Sequence, residues 1–138
     1  MYHLEEFEHG FDVTMPAAFN AVDTVCAAVE KFMREHDMTG KHIYEVQLGL
    51  REVMSNSIMH GSLGNAMHNI YFRLSYDKGN LHIRIRDQGP GFDWRKALSK
   101  PVTPLQENGM GLKIIRLCFD VLRFNEAGNE VELIKKVP

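Results

Sequence analysis

Glu52-Val53-Met54-Ser55-Asn56-Ser57-Ile58-Met59-His60-Gly61 closes the stretch on which the fold turns, and it reads as the end of a long amphipathic helix. Followed back to Lys41, the pattern puts Ile43, Val46, Leu50, Val53, Met54 and Ser57 on one face at about 100° per residue. The other side carries Glu45, Gly49, Glu52, Asn56 and His60. Gly49 costs about 1 kcal/mol in a helix interior relative to Ala, which makes sense where something must approach the backbone closely. Gly61 is the expected C-cap. Glu52 and Asn56, four residues apart, meet on one face, so a carboxylate and an amide oxygen can serve a single ligand. The carboxylate can take a proton from an attacking hydroxyl, and an amide oxygen is a hard ligand suited to Mg²⁺. Taken alone, such a pair is more often a plain solvated face.

Before this helix, Phe7 to Met15 alternates weakly and predicts a first strand, punctuated by Pro16. Ala18, Val22, Val25, Val29 and Phe32 make one stripe of a further helix, broken at Asp37 to Lys41, with Gly40 as a turn and Thr39 as a cap for the long helix. After a loop at Ser62 to His68, two period-two strands are expected. Ile70, Phe72, Leu74 and Tyr76 mark one; Leu81, Ile83 and Ile85 mark the other, with Asp77 to Asn80 as a four-residue connection. Asp87 to Asn108 is a long loop holding five Pro or Gly, with a hint of a helical turn at Trp94 to Leu98; connections that long are usually functional. Gly109 to Asp120 reads as a helix. Val121 to Asn125 and Val131 to Val137 read as a closing hairpin around Ala127-Gly128-Asn129. The order β-α-α-β-β-loop-α-β-β implies α+β architecture: a two-layer α/β sandwich, its mostly antiparallel sheet covered on one face by helices.

The chain has 138 residues, the size of one domain, here residues 1–138. A formal net charge of −2 argues against a protein built to coat nucleic acid or an anionic membrane. Cys26 and Cys118 are too few for a disulfide framework or a CxxC metal site, and both fall in apolar helical patterns as core residues. No apolar run approaches the roughly 18 residues of a membrane span. The acidic start Met1-Tyr2-His3-Leu4-Glu5-Glu6 lacks signal-peptide layout, so a cytoplasmic location is expected.

Two further stretches carry chemistry. Asp87-Gln88-Gly89-Pro90-Gly91 directly follows a strand; its glycines let the backbone turn and approach a flat ligand, and Asp87 can accept from an exocyclic amine such as that of adenine. A ring acceptor beside that amine would then need a donor. Gly109-Met110-Gly111-Leu112 opens a helix, where backbone N–H groups and the dipole attract phosphate. Arg95, Lys96 and Lys100 could reach a phosphate if the loop closes. The Walker phosphate loop and a G-x-G-x-x-G after the first strand are both absent. No H-E-x-x-H or paired zinc spacing occurs; His3, His9, His36, His42, His68 and His82 read as surface or loop residues, and His60 alone lies on the polar stripe.

Together, and in this order, the three stretches resemble the GHKL, or Bergerat-fold, ATP-binding domain of gyrase, a heat-shock chaperone class, histidine kinases and MutL. Glu52 to Gly61 resembles its N box, Asp87-x-Gly89-x-Gly91 its G1 box, and Gly109-x-Gly111-Leu112 its G2 box; the likeness runs from Phe11 to Val137. Within that group the chain is most similar to stand-alone anti-sigma-factor serine/threonine kinases. The resemblance implies ATP and Mg²⁺ as cofactors, with Glu52 as catalytic base, Asn56 as Mg²⁺ ligand and Asp87 as adenine reader. It gives Gly89 and Gly91 the adenine-side turn, and Gly109, Met110, Gly111 and Leu112 the lid-end amides that hold phosphates. Asn129 and Glu130 stand where the family often has Thr near adenine, and Ser57 replaces a small apolar residue.

The same resemblance implies a protein kinase that binds a sigma factor and phosphorylates an anti-anti-sigma (STAS) protein, as a homodimer, with no nucleic acid or membrane partner. The alternative is a non-enzymatic ATP-binding module that sequesters a regulator. A histidine-kinase catalytic domain would need a phosphoacceptor helix pair ahead of the first strand, for which too few residues precede it. Phe19, Val22, Val25, Val29, Phe32 and Met33 exceed one stripe and would serve the core or a partner surface. Each version requires one cavity, walled by the second helix, the bend after Asp87 and the start of the third helix, and sized for a purine triphosphate with its ion.

Overall fold

A computed structural model of the protein describes residues 2–61, 67–91, 95 and 107–137. The strands are β1 (His3–Phe7), β2 (Gly10–Pro16), β3 (Asn69–Asp77), β4 (Asn80–Asp87), β5 (Val121–Phe124) and β6 (Glu130–Lys136). The helices are α1 (Asn20–Glu35), α2 (Gly40–Asn56) and α3 (Glu107–Cys118). The six strands form one sheet in the order β1-β2-β3-β4-β6-β5, every pair antiparallel. The two-layer α+β architecture expected from the sequence is present, with one strand more: the expected single strand from Phe7 to Met15 is a hairpin, β1 and β2.

Strand alternation decides which face is covered. Phe11, Val13 and Met15 of β2, Ile70, Phe72 and Leu74 of β3, Leu81, Ile83 and Ile85 of β4, and Val131 and Leu133 of β6 are all buried under the helices. The opposite face is charged. Asp12, Arg73, Arg84, Glu132 and Arg123 stand in cross-strand register over five strands. Ion pairs link them at 3.2 Å (Arg73–Asp12), 3.7 Å (Arg84–Glu132) and 3.9 Å (Arg123–Glu132). The β3–β4 connection is shorter than expected. Lys78 and Gly79 both have positive φ, 49° and 80°, the requirement of a two-residue type I′ turn.

Thr39 caps α2 as expected, accepting the His42 N–H at 3.2 Å. Gly40 is the first residue of α2 rather than part of a turn. Beyond Asn56 the helix does not stop at a simple cap but widens into a π-helical turn, Ser57–Gly61. Within it Ile58 is buried and Met59 exposed.

Gly49 is buried, and what comes close to it is protein. A Cβ there would stand 2.6 Å from Phe119 Cε2 and 2.9 Å from Cys118 Cβ, so the missing side chain lets the end of α3 settle on α2. One turn earlier Glu45 accepts from Lys135 Nζ at 3.1 Å, and the same buried ammonium donates to the Cys118 carbonyl at 2.6 Å. Glu45 and Gly49, read from the sequence as part of the polar stripe, thus lie at the seam between α2, α3 and β6. Cys26 and Cys118 are buried free thiols. Burial pushes Cys26 up to about 11 and raises Cys118 as well, so both are unreactive core residues. Among the described residues no helix is long and apolar enough to cross a membrane.

Candidate functional site

Three segments distant in sequence converge at one end of the sheet. α2 ends at Asn56, β4 ends at Asp87, and the β5–β6 turn lies beside both. Asn56, Ser57, Asp87, Ile115, Asn129 and Glu130 all line one hollow there. The free volume is about 10 Å³, room for a single water; α2 and the end of β4 wall it as expected, but α3, among the described residues, contributes Ile115 rather than its start.

Asp87 is the buried acid of this hollow, with 4 % of its surface exposed. Its Oδ1 accepts the Gly89 N–H at 2.8 Å, closing an Asx turn, and its own N–H donates to the Asn129 carbonyl at 2.9 Å. Burial pushes its carboxyl above the usual carboxylate value; the Gly89 N–H and the nearby His68 pull it partly back. A carboxylate in that setting gains from any ligand that brings it a hydrogen-bond donor.

The bend after Asp87 is fixed by the β5–β6 turn. Gly91 has φ +87°, and a Cβ on it would sit 1.7 Å from the Ala127 carbonyl oxygen. Here the close approach that only glycine permits is to the protein's own backbone, a use the sequence did not reveal. Asn129 Nδ2 adds a bond to the Gly89 carbonyl at 3.3 Å. The turn itself is held by Asn125, whose Oδ1 accepts the N–H groups of Gly128, Asn129 and Glu130 at 2.8, 3.0 and 3.2 Å. Asn129 and Glu130, noted in the sequence for the hairpin turn and for departing from the family pattern, both stand in the hollow.

Glu52 is half-buried on α2, one turn before Asn56 and on the same helix face, but outside the lining of the hollow. α3 begins at Glu107, two residues before Gly109. The N–H groups that a helix leaves unpaired in its first turn therefore include that of Gly109 but not those of Met110, Gly111 and Leu112. Leu112 is buried in the core. The helical turn expected at Trp94–Leu98 lies, apart from the exposed Arg95, outside the described residues, as do Lys96 and Lys100.

A family model described as a histidine kinase-like ATPase domain matches residues 15–135. The chain belongs to that family. The match spans the region from the end of β2 through most of β6, so this histidine kinase-like ATPase domain includes every segment that meets at the hollow. Among curated relatives, the domain is 29 % identical over 117 residues to an anti-sigma F factor of Oceanobacillus iheyensis, covering 80 % of each chain. It is 27 % identical over 114 residues, 78 % of each chain, to an anti-sigma F factor of Bacillus thuringiensis. Among solved structures, the histidine kinase domain of the Erythrobacter litoralis EL346 blue-light activated histidine kinase superposes with a TM-score of 0.52 at 18 % identity. The superposition covers 89 % of this domain and 61 % of that chain, and shows the shared fold. The domain thus has the α+β fold and the family of an ATPase.

Proposed function

We propose that the protein is an anti-sigma factor with serine/threonine kinase activity: it binds ATP with Mg²⁺ and phosphorylates a STAS-type anti-anti-sigma protein. The names of its curated relatives support the anti-sigma part. The observation that carries the ATP site is the meeting of Asn56, Asp87 and the β5–β6 turn at one hollow. The residues there fit the ligand. Asp87 is an acceptor in a buried setting, suited to an exocyclic amine, with Gly89 and Gly91 shaping the turn beside it. An ion held by the amide oxygen of Asn56 would take its further oxygen ligands from the phosphates of the nucleotide and from water.

In this role Asp87 accepts from the adenine amine, Asn56 offers its amide oxygen to Mg²⁺, and the first turn of α3, with the free N–H of Gly109, turns its dipole to the phosphates. A bound Mg²⁺ neutralises charge on the phosphates. Glu52 takes the proton of the incoming Ser or Thr hydroxyl, so that the hydroxyl oxygen bonds phosphorus as ADP leaves. The protein works in the cytoplasm as a homodimer, with the STAS protein and a sigma factor as alternating partners.

The test is incubation with labelled ATP and candidate STAS proteins, wild type beside Glu52→Ala. Labelled STAS protein from wild type alone supports the kinase. The position of Glu52 outside the lining of the hollow favours a second reading, an ATP-binding module that sequesters a regulator. Tight MgATP binding with no label from either form would establish it in place of the kinase.

A further inference from the structure

Asp87 shares its end of the sheet with a second polar group that the sequence placed on the surface. His68 directly precedes β3, and its carbonyl accepts the Ala17 N–H at 2.9 Å, carrying the β2–β3 ladder one step past the Pro16–Asn69 pair. Strand alternation sets His68 on the same face as Ile70, two residues on, and Ile70 stands opposite Asp87 in register. On the other face Gln88 fastens the two segments: its Oε1 accepts the Asn69 N–H at 2.6 Å and its Nε2 donates to Tyr71 Oη at 3.2 Å. The imidazole lies beside the Asp87 carboxyl, next to the hollow rather than in its lining. Its Nδ1 is buried and has no hydrogen bond. Leaving such an atom unpaired costs about 1–3 kcal/mol, and a native orphan of this kind calls for a missing partner.

An ionised carboxylate only accepts. Against an amino-purine, Asp87 can therefore satisfy the amine but not the ring nitrogen beside it, which is itself an acceptor. A neutral imidazole supplies one N–H donor. We propose that His68 is a specificity-determining residue of the base site: Nδ1–H donates, directly or across one water, to the ring nitrogen next to the amine that Asp87 receives. The assignment rests on Asp87 being the reader of that amine. It extends recognition from one polar group to two, and sites built to pair with a polar edge discriminate strongly against ligands that lack it.

Two ATP analogues separate the two contacts. 1-Deaza-ATP keeps the amine and lacks the ring nitrogen; purine riboside triphosphate keeps the ring nitrogen and lacks the amine. Affinities of all three are measured for the wild type, His68→Leu and His68→Asn, with folding checked by thermal melting. Wild type should bind 1-deaza-ATP about tenfold more weakly than ATP, and His68→Leu should bind the two within twofold. His68→Asn, which keeps an N–H near the place of Nδ1, should restore much of the difference. An undiminished ratio in folded His68→Leu, or no preference for ATP over 1-deaza-ATP in wild type, overturns the proposal. Equal affinity of wild type for ATP and purine riboside triphosphate overturns the reading of Asp87, and the His68 assignment with it. If His68→Leu does not fold, ¹⁵N NMR of the wild-type imidazole decides. Nδ1 should shift on adding ATP and not on adding 1-deaza-ATP, and equal shifts reject the role.

Discussion

Gly91 and Ala127 touch backbone to backbone: the α-carbon of one lies so close to the carbonyl of the other that even a methyl group has no place between them. The bend after Asp87 and the turn carrying Asn129 are packed directly against each other. Gly91→Ala meets both a left-handed φ and a collision with main chain that cannot swing aside. It should destabilise the fold by about 2 kcal/mol or more, read as a lower urea midpoint. An unchanged midpoint would show that the two loops are free to separate.

Asp87→Asn should make the protein more stable near neutral pH while removing its nucleotide affinity. Burial, opposed by the Gly89 N–H and by His68, raises the Asp87 carboxyl above its unfolded value. The folded state therefore holds that proton more tightly than the unfolded one, and stability falls as pH rises from the unfolded value through the folded one. Asn escapes this loss and can still accept the Gly89 N–H. The advantage of Asp87→Asn should be full above the folded value and vanish below about pH 4, where both states of the wild type are protonated. Denaturation curves at pH 7 and pH 3.5 check the sign; a variant less stable at pH 7 refutes it.

Glu45 and Lys135 should respond unequally to replacement. Glu45→Leu strands a buried ammonium with one carbonyl for company, a loss of about 3 kcal/mol. Lys135→Met leaves Glu45, which keeps 27 % of its side chain exposed, able to turn to water. It should cost about 1–2 kcal/mol, much of that from the uncapped Cys118 carbonyl. The double variant should be more stable than Glu45→Leu alone. Chemical denaturation of all three provides the comparison, and additive losses would argue against coupling between the two residues.

Gly49→Ala sets helix propensity against packing. The substitution gains about 1 kcal/mol in an exposed helix, but here the new methyl meets Phe119 and Cys118. Overpacking of about 1–3 kcal/mol should win, and Phe119→Leu should relieve it. Melting temperatures of the single and double variants test this; a stabilised single variant would mean that α3 shifts freely on α2.

Periodicity is enough to place α1, α2, β3, β4 and the β5–β6 hairpin, because each buries one regular face. β1 escapes it: His3, Glu5 and Glu6 are exposed on an edge strand, so no apolar alternation marks it. The motif residues Asn56 and Asp87 are legible because their order along the chain is a pattern in itself. The neighbours that Gly49, Gly91 and His68 meet are not legible, since each lies far away in sequence: Phe119, Ala127 and Asp87. Lys135 leaves a faint sign, a lysine at an inward position of a strand, but its partner lies 90 residues away. The extra strand turns back at Glu8 and His9, a pair without the Gly, Asn or Pro that usually marks a hairpin.

The widened turn at Ser57–Gly61 gives this part of the chain a tolerance for a change in length. It accommodates one residue more than an ordinary helical turn would, directly after Asn56. Removing a single codon there would let the helix close into regular i→i−4 hydrogen bonds, while the segments on either side keep nearly the same rotational phase, because the extra residue is held locally. The loss would be felt within the turn itself, where Ile58 is buried and Met59 exposed.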